Sequence, residues 1–167
     1  MSSSGKDGSD SPVFVDPMIG RVFLGRYEIL KRIGSGGMGA VYMAMQKGVE
    51  REVAVKILRG DLMNNENVRE RFRREAEIIG KLRHPNTIQL IDYGETEDGL
   101  ALMIMELLVG TPLNEQLKTS GAMSLGEAIQ IGIDVASSLA EAHEAGLVHR
   151  DLKPGNIFLV EVGGQVH

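Results

Sequence analysis

The chain has 167 residues, 43% apolar, 25% charged and 4% aromatic, with a formal net charge of -5. That composition fits one globular domain or two small lobes, and the negative balance argues against a nucleic-acid partner, which needs a basic footprint. Cysteine is absent, so disulfides and thiolate metal sites are excluded, and no apolar run approaches the roughly 18 residues of a membrane span.

Residues 1–10 are mostly Ser, Gly, Asp and Lys and bury too little to order themselves; residues 1–20 read as a flexible N-terminal tail. Lys6 has no apolar stretch behind it, so the tail is no signal peptide and the chain is expected in the cytoplasm. Residues 27–33 (YEILKRI) read as a strand, the glycine-rich stretch 34–39 as a turn, and residues 40–46 (AVYMAMQ) as the returning strand. Residues 52–58 (EVAVKIL) alternate, with Val53, Val55 and Ile57 on one face and Ala54, Lys56 and Leu58 on the other. Residues 67–82 carry a helical period, and residues 87–93 and 100–106 are further strands.

The character then changes. Residues 113–118 form a short helix and residues 124–145 a long one, with Ser124 as N-cap, Glu127 completing a capping box and Gly146 as C-cap. Leu125, Ile129, Gly132, Ala136, Leu139 and His143 line one stripe of it. Residues 157–162 are a strand, Gly163-Gly164 a hairpin turn, and Gln165 opens a returning strand. Strands followed by helices, with a boundary near residues 106–111, predict an α+β fold in two lobes around a cleft.

Gly34, Gly36 and Gly39 form GxGxxG, and glycines let backbone N–H groups approach phosphate oxygens. An isolated match is more often an ordinary hairpin turn. A dinucleotide-binding fold needs a helix after the glycines, whereas Ala40, Val41, Tyr42 and Met43 continue as strand, and the Gly-Lys-Ser/Thr of a Walker loop is absent. A strand–loop–strand flap over phosphates is what remains.

A lone strand lysine usually snorkels to solvent. Lys56 has a reason not to: Val68, Phe72, Glu75, Ile79 and Leu82 recur at spacings of three and four, which sets Glu75 on the apolar face of its helix. A carboxylate there is costly unless paired, and Lys56 is the natural partner. Glu77 lies instead with Arg73 and Lys81 in a solvated ion pair, and Arg69, Arg71, Arg73 and Arg74 cover the outer helix face between glutamates.

The most specific string is His149-Arg150-Asp151-Leu152-Lys153-Pro154-Gly155-Asn156, between a helix and a strand. Asp151 can accept a proton from a substrate hydroxyl, Lys153 can neutralise a transferring phosphoryl group, and the Asn156 amide oxygen, five residues after Asp151, can bind a divalent ion. The other histidines, His84, His143 and His167, receive no role.

With these motifs in order, residues 27–167 resemble the bacterial-type Ser/Thr protein kinases, and GSGGMGAVY and HRDLKPGNIF carry the resemblance. It implies a protein kinase domain over residues 21–167, with a complete small lobe (27–106, antiparallel sheet plus one helix) and an incomplete helical large lobe (107–167). It implies that Ile33, Gly34, Ser35, Gly36, Gly37, Met38, Gly39, Ala40 and Val41 close over ATP and that Ala54 packs on adenine. By the same resemblance Met105 is the gatekeeper, the Glu106 to Leu108 backbone bonds adenine, Lys56, held by Glu75, contacts the α- and β-phosphates, and Asp151 is the base. Lys153 marks the Ser/Thr class. The implied cofactors are ATP and Mg2+, with Mn2+ as the alternative ion at Asn156; the implied partners are a protein substrate bearing Ser or Thr and, as a candidate, a second kinase copy.

No Asp-Phe-Gly follows Asn156 in the remaining eleven residues. Two readings stay open: an excerpt or interrupted form of an active kinase, and a catalytically silent module that holds nucleotide or a partner kinase. Residues 1–167 alone are expected to transfer no phosphate and to be poorly soluble. The stripe of the long helix would be exposed, and residues 157–162 would be a largely unpaired apolar edge.

Overall fold

The structure, a computed structural model, describes residues 16–36, 39–62, 64–162 and 165–166. The expectations for residues 1–15, for Gly37 and Met38, for the Gly163-Gly164 turn and for His167 lie outside the described residues.

Alternation builds the small lobe. Strands β1 (Val22–Phe23), β2 (Tyr27–Gly36), β3 (Gly39–Gln46), β4 (Arg51–Leu58), β5 (Leu90–Glu95) and β6 (Ala101–Glu106) form one antiparallel sheet in the order β1-β2-β3-β4-β6-β5. Val53, Val55 and Ile57 join Tyr27, Ile29, Tyr42, Leu102 and Ile104 in the core on one face. Leu58, on the other face, packs with Phe72 and Ala76 of helix α1 (Glu66–Ile79) and with Ala101 and Met103. Arg26 and Tyr27, where the chain enters β2, both donate to the Asp92 carboxylate of β5, at 2.6 and 3.0 Å, which ties β2 to the far edge strand of the order.

Three boundaries differ from the periodic pattern. The first is the end of α1. Asn65 caps its start, accepting from the Val68 N–H at 3.3 Å, and the helix ends at Ile79 rather than at residue 82. The Lys81 and Leu82 N–H groups turn back to the Ile78 and Ile79 carbonyls, so Leu82 stays in the core, 6% exposed, after the backbone has left the helix. Arg73 pairs with Glu70 and Glu77, but Lys81, expected beside Glu77, is past the helix end and forms no ion pair with it. The second is β5, which starts at Leu90 rather than at residue 87 because Thr87 is held in the preceding turn, its Oγ1 2.6 Å from Ser138 Oγ. The third is the tail. Residues 16–20 form a turn in which Asp16 accepts from the Met18 N–H and from the hydroxyl of buried Tyr42, both at 3.0 Å, and Met18 packs on the core. A buried tyrosine hydroxyl requires such an acceptor.

The large-lobe portion comprises β7 (Gly110–Pro112), α2 (Leu113–Ser120), α3 (Leu125–Glu144), β8 (Phe158–Val162) and β9 (Gln165–Val166). The capping box forms as expected: Ser124 Oγ accepts from the Glu127 N–H at 3.3 Å and the Glu127 carboxylate from the Ser124 N–H at 2.9 Å. Ala145, not Gly146, occupies the C-cap, and Gly146 follows with φ +81°. There its N–H reaches the His143 carbonyl and the Leu147 N–H the Ala142 carbonyl, a Schellman closure.

The expected unpaired edge is paired. β8 bonds β7 with Gly110 opposite Val160 and Pro112 opposite Phe158, and β9 flanks its other side. Gly110 permits this contact, since a Cβ there would lie 2.1 Å from the Leu159 carbonyl oxygen. The face of α3 is open as expected: Leu125, Ile129 and Ile133 are 77%, 53% and 56% exposed. No helix of the described residues is long and apolar enough to cross a membrane.

A cleft between the lobes as candidate active site

Between the small lobe and the β7–β8 pair lies a cleft of about 780 Å³. Its upper wall is Lys31, Ile33, Gly34, Ser35, Gly36, Gly39, Val41, Met43 and Lys56; its lower wall is Leu107, Leu108, Val109, Gly110, Gly155 and Phe158. Strand register explains the upper wall. Val41 stands opposite Lys56, Met43 opposite Ala54, and Met103 and Met105 opposite Lys56 and Ala54. Residues directly opposite in an antiparallel pair share a face, so all six project from the cleft side of the sheet.

Gly39 is required by packing. A Cβ there would sit 2.1 Å from the Ile57 carbonyl oxygen, so only glycine lets β3 approach β4 this closely.

Lys56 does not snorkel. Its Nζ lies 2.9 Å from Glu75 Oε1, with the two side chains 23% and 34% exposed. The ammonium also stands 5.5 Å from the centroid of the Phe72 ring, which is itself buried. The helical spacing that puts Phe72 and Ala76 on the sheet therefore delivers Glu75 beside the lysine.

The second cluster follows the Schellman closure of α3. Arg150 takes φ +59°, a strained value for a residue with a Cβ, and turns the chain so that Asp151 leads into the short turn Pro154–Asn156. Lys153 Nζ donates to both Asp151 carboxylate oxygens at 2.8 and 3.1 Å. Asn156 Nδ2 donates to the Asp151 carboxylate at 3.1 Å and to its backbone carbonyl at 2.7 Å. Lys153 first and Asn156 second hold the Asp151 carboxyl below its ordinary value of 3.8, so it is ionised at neutral pH. With its nitrogen engaged, Asn156 presents its amide oxygen as the atom for a cation.

Of the residues singled out in the sequence, Ile33, Gly34, Ser35, Gly36, Gly39, Val41, Lys56 and Leu108 line the cleft. Ala54 and Met105 are buried behind its wall, 6% and 8% exposed. Ala40 and Glu106 do not line it; the Glu106 carboxylate accepts from the Gln89 N–H at 2.7 Å instead. Asp151, Lys153 and Asn156 form a cluster of their own, joined to the cleft through Gly155. Sequence reasoning missed Met43, which simple alternation from Val41 would have found. Leu107, within the segment 106–108 assigned to adenine, lines the cleft as well, whereas Lys31, Val109, Gly110, Gly155 and Phe158 were missed, and a single sequence carries no local signal for them.

The chain belongs to the protein kinase family: a model of the protein kinase domain matches residues 27–166. Bacterial serine/threonine-protein kinases are among its relatives. It is 43% identical over 146 residues to a probable serine/threonine-protein kinase of Clostridium perfringens, covering 87% of this chain and 21% of that protein. It is 42% identical over 146 residues to the serine/threonine-protein kinase PrkC of Bacillus subtilis, covering 87% and 22%. It is 40% identical over 153 residues to PknA of Mycobacterium tuberculosis, covering 89% and 36%. Among solved structures it is similar to the kinase domain of Mycobacterium tuberculosis PknI, with a TM-score of 0.74 and 30% identity, covering 88% of this chain and 58% of that one. The chain thus spans between 21% and 36% of the length of these curated relatives. Its fold is the two-lobe α+β protein kinase fold, and the family uses ATP and a divalent metal ion.

Proposed function

We propose that the chain carries the nucleotide-binding lobe and catalytic loop of an ATP-dependent protein Ser/Thr kinase. One observation carries the reading: Lys56, paired with Glu75, lines one wall of the cleft, and Gly155, which lies between Lys153 and Asn156 of the Asp151–Lys153–Asn156 cluster, lines the other. In this reading residues 27–106 are the small lobe and residues 107–167 the start of the large one.

The roles follow from the chemistry. The β2–β3 hairpin, Gly34 to Val41, covers the phosphates; Ala54 and Met105 bound the adenine site, and the Glu106 to Leu108 backbone bonds the base. Glu75 holds Lys56 extended toward the α- and β-phosphates. Asp151, whose anion Lys153 and Asn156 stabilise further, accepts the proton of a substrate Ser or Thr hydroxyl. A bond forms from that oxygen to the γ-phosphorus, the bond to the β-phosphate oxygen breaks, and ADP leaves. Lys153 neutralises charge on the transferring group.

For the metal, Asn156 offers one oxygen beside the Asp151 carboxylate, and among the described residues no group of three His, Cys, Asp or Glu could hold an ion unaided. The fit is to a largely hydrated Mg2+, or Mn2+, which Asn156 would hold and which would supply neutralisation of developing phosphate charge. By the family resemblance a further ligand is expected on an Asp-Phe-Gly segment, which residues 157–167 do not contain.

The second reading is a module that holds nucleotide or a second kinase copy without chemistry. Transfer of labelled γ-phosphate from Mg-ATP to a generic basic protein by the full-length protein, with phosphoamino-acid analysis, separates the two. Label on Ser and Thr is expected; nucleotide binding with no transfer supports the second reading. The proposed compartment is the cytoplasm, consistent with the absence of cysteine.

A further inference from the structure

The segment joining α1 to β5 is fastened to the large-lobe helix α3 by side chains that the catalytic reading does not use. The Glu141 carboxylate accepts the Arg83 N–H on Oε1 and the His84 N–H on Oε2, both at 2.9 Å. His84 Nε2 lies 2.8 Å from Ser137 Oγ, and Thr87 Oγ1 2.6 Å from Ser138 Oγ. His84 Nδ1 accepts from the Asn86 N–H at 3.2 Å, which assigns the ring proton to Nε2 and makes Ser137 the acceptor. The Glu141 carboxyl is held below its ordinary value, the Arg83 N–H being the largest cause, as for a group bonded in its anionic form.

The consequence reaches the cleft through α1. The helix ends at Ile79, four residues before Arg83 and four after Glu75. Between Ile79 and Arg83 the backbone is closed by hydrogen bonds from Lys81 and Leu82, and Leu82 is buried, so the segment has little slack. The far end of that lever is the 2.9 Å contact between Glu75 and Lys56.

We propose that Glu141 is a positioning residue for the nucleotide site: by fixing the backbone at residues 83–84 to α3, it sets where the C-terminal end of α1 stands and hence how Glu75 presents Lys56. The inference rests on the kinase reading, in which Lys56 contacts phosphate. It also requires a carboxylate. The two N–H groups need two acceptor oxygens, and glutamine supplies one and turns a donor toward the other N–H.

The test is a double-mutant cycle in the full-length protein, read as KM for ATP, kcat and thermal midpoint. Glu141→Gln is expected to raise the KM for ATP about tenfold, a common size of coupling between linked sites, while leaving the KM for protein substrate unchanged. In a Glu75→Ala background the same substitution is expected to change the KM for ATP by less than about twofold, because the route through Glu75 is already cut. Glu141→Asp, which keeps both oxygens on a shorter arm, falls between wild type and Glu141→Gln and serves if the glutamine variant does not fold. An active wild type whose KM for ATP is unmoved by Glu141→Gln and Glu141→Asp, or an equal effect in both backgrounds, overturns the inference alone. A wild type that binds no nucleotide removes the kinase reading and this inference with it.

Discussion

The Asp151 carboxylate, Lys153 ammonium and Asn156 amide are mutually bonded, so the state of each depends on the others. Lys153 is the largest cause of the lowered Asp151 pKa. Lys153→Met should therefore raise the Asp151 midpoint toward 3.8, observed by carboxyl NMR, and an unchanged midpoint would contradict the assignment. The sign follows from the depression: whatever stability this anion contributes is complete above 3.8 and is lost as pH falls through the lower folded value. Beside Lys56, Glu75→Gln should leave the fold intact and lower phosphate transfer roughly 100-fold, the cost of misplacing a phosphate contact by about an ångström. A variant with wild-type kcat/KM would contradict the role given to the pair. Lys56 and Glu75 were legible in the sequence because strand alternation and helical spacing each fix a side-chain direction. Gly39 was legible only as a glycine: the carbonyl of Ile57 that excludes a Cβ is brought there by a strand 18 residues later in the chain.

Among the elements, α1 links core and site. Phe72 is 1% exposed, packs on Leu58 and Met103, and lies under Lys56. Phe72→Ala should cost about 3–5 kcal/mol in chemical denaturation, the usual range for a buried aromatic; a loss under about 1 kcal/mol would mean the helix is not seated as described. On the outer face Arg73 and Arg74 hold Glu70 down to about 2 from 4.5. Its titration should centre near 2, with its contribution to the helix present above 4.5 and fading as pH falls below that; a midpoint at 4.5 would show these bonds absent in solution. The capping box and the Schellman glycine made α3 readable from sequence, because caps are local chemistry. β7 was not readable: three residues, one of them proline, carry no period, and only pairing with β8 makes them a strand.

Taken as a whole, the molecule has one lobe with two filled cores and one lobe with an open helix face. Leu125, Ile129 and Ile133 each forgo roughly 1.5–3 kcal/mol of burial, comparable in sum to a domain's net stability. Purified residues 1–167 should therefore self-associate in size-exclusion chromatography and transfer no phosphate; a soluble monomer with clear transfer would contradict both expectations. The two-lobe plan was legible because strands precede helices in the sequence. The tie of residues 83–87 to α3 was not, since serines, a histidine and a glutamate more than 50 residues apart reveal nothing until the fold brings them together. The most direct test of the kinase account is Asp151→Asn in the full-length protein, with transfer of labelled phosphate and affinity for Mg-ATP measured on the same preparation. The account predicts that transfer falls by about 100-fold or more while nucleotide affinity stays within about threefold of wild type. Wild-type transfer by the asparagine variant would contradict it.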